Sequence, residues 1–228
     1  FSGVVAKTGA DVRDLPVGSR VMGLAGSGAF SQFVALPANR LITLPDEINY
    51  TTAASLYINY ATALYGLRDC GKLATGETIL ILGASGGVGS AAITVAKAMG
   101  AHVIGAASSE EKRSAAIRFG ADASVDYTKE EWRSELKALT PGGLNVVYDP
   151  VGGDYAETAF RALAPGGRFL VVGFAAGTIP SIPLNLALLK RSSIVGVDWG
   201  GESRAHPEIN HALITTILSW IESGVLQP

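Results

Sequence analysis

The sequence predicts an α/β protein built on a six-stranded, doubly wound parallel sheet, with a short β segment ahead of it. Three observations predict it. From residue 77 onward, short apolar runs alternate with helical stripes. The first of these runs passes through a glycine-rich loop directly into a helix. The chain also carries 28 glycines beside only 7% aromatic residues, a balance that suits a glycine-punctuated α/β protein better than an aromatic-rich all-β one.

Residues 1 to 46 read as short strands with tight turns: Gly3-Val4-Val5-Ala6, Arg20-Val21-Met22-Gly23, and Phe30 to Ala35. The pattern changes near residue 50. Ala53, Leu56, Tyr57, Tyr60, Ala61, Leu64 and Leu67 form one helical stripe between Thr51 and Leu67. Thr78 to Leu82 is a continuous apolar run, as expected of a strand buried on both faces. Val88, Ala91, Ala92, Val95, Ala96 and Met99 then recur at helical spacing until Gly100 stops them. His102 to Ala106 is the second strand, and Glu110 to Phe119 the helix that follows it. Ala123 to Val125 is the third strand, followed by a helix from about Lys129 to Leu139. Asn145 to Tyr148 is the fourth, with a helix from Tyr155 to Leu163 and a stop at Pro165-Gly166-Gly167. Phe169 to Val172 is the fifth strand, Leu184 to Leu189 a short helix, and Ser193 to Val197 the sixth strand. A helix from Ile209 to Glu222 closes the pattern. The chain divides at residues 46 and 47.

Composition excludes several classes. A net charge of −2 with scattered signs offers no basic stripe for nucleic acid. No apolar run reaches membrane-spanning length, and no stretch reads as a basic-then-apolar leader. Cys70 is the single cysteine, which excludes an internal disulfide and a multi-cysteine zinc site. His102, His206 and His211 have no ligand-like spacing with it, so no metal is expected. A cytoplasmic location is the expectation. The chain opens at Phe1, without methionine and inside a strand-like stretch, so a preceding segment is also expected.

The loop Gly83-Ala84-Ser85-Gly86-Gly87-Val88-Gly89 carries the functional reading. Ala84, Gly86 and Gly89 occupy the three glycine positions of GxGxxG. The middle glycine admits the pyrophosphate and the last admits close helix packing. The helix N-terminus offers free N–H groups to an anion. The same residues satisfy GxSxG, the elbow of serine hydrolases, with Ser85 as nucleophile and Asp149 with His206 or His211 as partners. They also match the GxxxGxG of short-chain dehydrogenases, but none of the seven tyrosines is followed four residues later by the lysine that family needs. At the second strand's tip, Ala106-Ala107-Ser108-Ser109 presents no carboxylate, and Lys112 and Arg113 follow. That pattern suits a 2′-phosphate, hence NADPH over NADH.

The chain resembles the medium-chain dehydrogenase/reductase superfamily, in its zinc-free quinone oxidoreductase (zeta-crystallin-like) branch. The resemblance rests on Gly3-Val4-Val5, Val17-Gly18-Ser19-Arg20-Val21, Thr62-Ala63, the Ala84-to-Gly89 loop, Gly120-Ala121-Asp122 and Asp126-Tyr127. Asp149-Pro150-Val151-Gly152-Gly153 and Gly166-Gly167-Arg168 leading to Gly173-Phe174 complete it. It implies that residues 1–46 are part of a GroES-like substrate domain, lacking that domain's opening strands and its return after Pro228. Residues 47–228 would be a Rossmann dinucleotide-binding domain. By the same resemblance, Ser85, Gly86, Gly87, Val88 and Gly89 would hold the pyrophosphate of NADPH, and Ser108, Lys112 and Tyr127 its 2′-phosphate. Val151, Gly173 and Phe174 would flank the adenosine and nicotinamide halves, and Thr62 the nicotinamide. The implied reaction moves hydride to a small-molecule quinone or an activated alkene (enone, enal or enoyl thioester). Tyr60 is a candidate substrate-side hydroxyl, although tyrosines on such a stripe are more often core. A catalytically silent nucleotide-binding protein is the alternative reading. The apolar edge strand from Ser193 to Val197 and the resemblance together point to a homodimer.

Overall fold

A computed structural model describes residues 1–228. Its first sheet is antiparallel and has three strands, β1 (Ser2–Val4), β2 (Arg20–Gly23) and β3 (Leu41–Thr43), with β2 central. The expected strand from Phe30 to Ala35 is not formed. Ser31 Oγ lies 2.6 Å from the carbonyl oxygens of both Gly28 and Phe33, its one proton serving either, which folds this stretch into a local turn, and Phe30 lies in solvent. Leu41–Thr43 occupies the second edge of β2 instead.

Helix α1 (Tyr50–Leu64) is capped by Asn49, whose side chain accepts from Thr52 N–H at 2.8 Å. It runs on as one π-helical segment, Tyr65–Cys70. All seven residues of the predicted stripe are buried. The parallel sheet follows: β4 (Thr78–Leu82), α2 (Gly87–Ala98), β5 (His102–Ala107), α3 (Glu110–Arg118), β6 (Ala123–Asp126), α4 (Trp132–Leu139), β7 (Leu144–Asp149), α5 (Tyr155–Arg161), β8 (Leu163–Val171), α6 (Leu184–Lys190) and β9 (Ser193–Gly196). Two helices, α7 (Trp199–Ala205) and α8 (Pro207–Glu222), end the pattern. The strand order is β6-β5-β4-β7-β8-β9, and every pairing is parallel. The order reverses between β4 and β7, where a doubly wound sheet opens its ligand crevice.

The alternation of β4 shows why its run is continuously apolar. Ile79 and Ile81 enter the core beneath α1, α2 and α8, while Leu80 and Leu82 enter the core on the opposite face. Two expectations need correction. Pro165-Gly166-Gly167 does not stop the chain but lies inside β8 as an irregularity: Leu144 pairs Leu163, and Val146 already pairs Arg168. Gly166 takes φ +81°, and a Cβ on Gly167 would press on Leu163 and two carbonyls, so glycine is required there. Helix α7, absent from the sequence reading, forms despite Gly200 and Gly201 because Asp198 accepts from Gly201 N–H at 2.7 Å.

Candidate functional site

The glycine loop leaves β4 at the crevice and enters α2. Gly83 turns with φ +61°, and Gly86 N–H returns to the Gly83 carbonyl at 2.9 Å. The N–H groups of Ser85, Gly87, Val88 and Gly89 have no acceptor inside the protein. Four free donors at a helix N-terminus make an anion cradle. A Cβ on Gly89 would collide with the Gly83 carbonyl, so this glycine sets the close approach of α2 to β4. A Cβ on Gly86 would meet only that carbonyl, at 3.4 Å, and would otherwise project into open space.

A cavity of about 720 Å3 opens over this loop. Ser85, Gly86, Gly87, Val88, Gly89, Ser108, Lys112, Tyr127 and Val151, all expected from the sequence, line it together. Ser108 Oγ lies 3.4 Å from Lys112 Nζ and faces the Tyr127 hydroxyl. Burial raises the Tyr127 pKa, with Ser108 acting against that, so the phenol stays protonated. Lys112 pairs with no carboxylate. Arg113, the other cation of the sequence reading, is already engaged: it binds Asp126 at 2.5 Å and Glu110 at 2.6 Å.

Four expected residues do not line this cavity. Thr62 sits half-buried on α1. Gly173 N–H bonds to the Asp149 carbonyl at 3.2 Å, and Phe174 packs where a Cβ on Gly152 would be. Tyr60 is buried against Thr94, and burial raises its pKa.

Sequence reasoning missed Tyr155, which stacks on Tyr127 with ring centroids 4.2 Å apart, and it missed Pro150, Ala175 and Ala176 along the rim. It also missed Asn59, whose amide covers Gly87. The Ala175 and Ala176 N–H groups bond to the carbonyls of Pro150 and Val151, so tertiary pairing brings this rim into place. Asp149 shapes the opposite turn, its Oδ1 accepting from Val151 and Gly152 N–H at 2.8 Å each. Burial raises the Asp149 pKa, and these two N–H groups oppose it. His206 and His211 lie outside the cavity that Ser85 lines, so the hydrolase arrangement has no histidine there. No three His, Cys, Asp or Glu side chains are grouped to hold a metal ion.

Strand order, glycine loop and crevice together define a Rossmann-type α/β protein. The family model described as zinc-binding dehydrogenase matches residues 87–216. The chain is 38% identical over 230 residues to quinone oxidoreductase-like protein 2 of Bos taurus, covering all of this chain and 66% of that protein. It is 36% identical over 225 residues to the quinone oxidoreductase of Pseudomonas aeruginosa, covering 98% and 69%. The crystal structure of Escherichia coli quinone oxidoreductase complexed with NADPH superposes with a TM-score of 0.89 at 29% identity, covering 99% and 70%. The chain thus belongs to the medium-chain dehydrogenase/reductase superfamily, a family of oxidoreductases, in its quinone oxidoreductase branch. It spans about two thirds of the length of the curated relatives it matches.

Proposed function

We propose that this chain is the dinucleotide-holding part of an NADPH-dependent reductase whose acceptor is a quinone or an activated alkene. The observation that carries the reading is the pairing of four free N–H groups on the loop with Lys112, an uncommitted cation at a strand tip that lacks a carboxylate. The residues fit the cofactor. Ser85 to Gly89 supply backbone donors to a pyrophosphate, and Gly86 leaves the space that a side chain would fill. Ser108, Lys112 and the Tyr127 hydroxyl converge as a donor set for a 2′-phosphate, and the Tyr127–Tyr155 pair offers an aromatic wall beside it.

When bound, the cofactor supplies the hydride, and the protein supplies position and electrostatics. Residues 1–46 are assigned to the substrate side and residues 47–228 to the cofactor side. Thr62 and Phe174 are assigned to the nicotinamide end, with Gly173 beside it. Tyr60 is buried, so its hydroxyl meets substrate only if α1 shifts. Fluorescence titration with NADPH and NADH, beside NADPH oxidation with a panel of quinones and enones, tests the proposal. Tighter binding of NADPH with turnover supports it. Equal affinity for both cofactors refutes the 2′-phosphate assignment, and binding without turnover in a full-length relative favours a silent nucleotide-binding protein.

A further inference from the structure

A second cavity, of about 600 Å3, shares no lining residue with the first. It lies between the antiparallel sheet and the pair α7 and α8. Its floor is fixed by hydrogen bonds. Trp199 Nε1–H donates to Asn210 Oδ1 at 3.2 Å, and Asn210 Nδ2 donates to the Tyr57 hydroxyl at 2.8 Å. The Tyr57 oxygen therefore accepts within the protein, and its own proton has no protein acceptor. Burial raises the Tyr57 pKa, which keeps that donor in place.

The walls are cationic. Arg40 and Arg204 both line the cavity, and neither forms an ion pair or a side-chain hydrogen bond. The Arg204 guanidinium lies over Gly200, 3.4 Å from where a Cβ would stand, so the glycine leaves it room at the wall. His211 adds an imidazole, and no acidic residue lines the space, although the chain as a whole carries a net −2. Two uncommitted guanidiniums beside one polar cavity, with no carboxylate among its lining residues, are a favourable arrangement for an anion.

We propose that this cavity binds a phosphoryl group, held by Arg40 and Arg204 with the Tyr57 hydroxyl and His211 as further donors. Two forked guanidiniums present more donors than one planar carboxylate accepts, and two positive charges match a phosphate dianion. Arg40 comes from the antiparallel sheet's side and Arg204 from α7, so the ligand ties these two parts together. Binding of that kind stabilises the fold by mass action. The site differs from the dinucleotide cavity, and the inference does not rest on the cofactor reading.

The test uses the 228-residue chain with Trp132 and Trp220 replaced by phenylalanine, so that Trp199, hydrogen-bonded to the cavity floor, is the fluorescent reporter. Inorganic phosphate, pyrophosphate and phenyl phosphate are the probes, with succinate as the carboxylate control. Labelled-phosphate dialysis on the parent and on the arginine variants gives, by difference, the binding that belongs to this cavity rather than to the glycine loop. We expect a saturable change with at least one phosphorylated probe. Arg40→Ala and Arg204→Ala should each weaken it by about tenfold or more, the loss of one charge-assisted contact. Lys137→Ala, on α4 against the opposite face of the sheet, should leave it unchanged. Both arginines are exposed, so these variants should fold, and circular dichroism checks that they do. A response to phenyl phosphate alone assigns the site to an organic phosphate, and a response to inorganic phosphate to the free anion. No saturable response to any phosphorylated probe overturns the proposal. So does an equal response to succinate, or a loss in Lys137→Ala that matches the arginine variants.

Discussion

Two glycines of one loop should fail in opposite ways when substituted. Gly89 lies inside α2, where alanine is ordinarily better than glycine by about 1 kcal/mol. Here the new Cβ would strike the Gly83 carbonyl, a backbone atom with no rotamer to give way. Overpacking of that kind costs about 1–3 kcal/mol. The net loss for Gly89→Ala is then up to about 2 kcal/mol, or a fall in Tm of up to about 8 °C for a chain of this size. Gly86 is the reverse. It has φ −75° and ψ 165°, an extended conformation that valine prefers, and its Cβ would meet only one atom, at ordinary contact distance. Gly86→Val gives up an acceptable N-cap, about 0.5–1 kcal/mol, and stays folded. Its methyl groups occupy the space above the free N–H groups. Losing two or more charge-assisted bonds there should lower NADPH affinity by more than about a hundredfold. Differential scanning calorimetry and fluorescence titration of both variants read the two effects separately. Gly89→Ala melting at or above the parent, or Gly86→Val binding NADPH within tenfold of it, would refute the assigned roles.

Three further outcomes follow from the same geometry. Lys112→Ala should weaken NADPH by about ten- to a hundredfold and leave NADH unchanged, because only a 2′-phosphate uses that ammonium; equal losses in titration refute it. Glu77 binds Arg168 at 2.5 Å, and both side chains are about one-fifth exposed. Burial pushes the Glu77 pKa up, but the guanidinium and Ala74 N–H outweigh it and hold the carboxyl below its usual 4.5. A lowered folded-state pKa gives stability that is present above the unfolded value and lost as pH falls through the folded one. Melting curves should therefore drop below about pH 4.5 in the parent and less steeply in Arg168→Met. Finally, β9 pairs only with β8, and Ile194 is 44% exposed on it, so the chain should dimerise through this edge. Ile194→Lys should shift the mass toward monomer in light scattering, and a monomeric parent at micromolar concentration rules the edge out.

The sheet was legible because its strands are buried on both faces, which leaves long apolar runs between glycine stops. The loop was legible for a different reason: Gly83 with its positive φ and Gly89 with its close approach to the Gly83 carbonyl answer local backbone demands that only glycine meets, and Gly86 leaves open the space above the free N–H groups. What stayed hidden depends on residues distant in sequence. Tyr155 joins the cavity because α5 sets it against Tyr127, and the Ala175–Ala176 rim is held by carbonyls some twenty-five residues earlier. Arg113 looked as available as Lys112 until Asp126, thirteen residues on, proved to be its partner. Local composition also misled at α7, where two glycines outweighed the Asp198 cap, and at Phe30 to Ala35, where a β-like pattern lies in a turn.

A division of the chain near residue 46, as proposed, would let residues 47–228 fold alone, and the packing sets a cost on doing so. Met22 of β2 is fully buried, and with Ile42 and Leu44 it enters the same apolar core as α1 and β4. Arg20 donates to the Pro45 carbonyl at 2.8 Å and to the Ile48 carbonyl, and its guanidinium stands 4.9 Å over the Tyr50 ring at the start of α1. Each buried apolar side chain contributes about 1.5–3 kcal/mol, so the three together contribute about 5–9 kcal/mol as an upper bound. Total stability of a domain is about 5–15 kcal/mol. Removing residues 1–46 should then lower Tm by about 10 °C or more and expose one face of α1. None of the residues lining the cavity over the glycine loop lies in that segment, so on the proposed cofactor reading NADPH affinity at low temperature should stay within a few-fold of the parent. Calorimetry and titration on the truncated chain decide between two failures. Parent-like melting would mean that the antiparallel sheet only rests on the larger one. Folded protein without NADPH binding would mean that the sheet holds α1, and with it Asn59 over Gly87, in the position the loop requires.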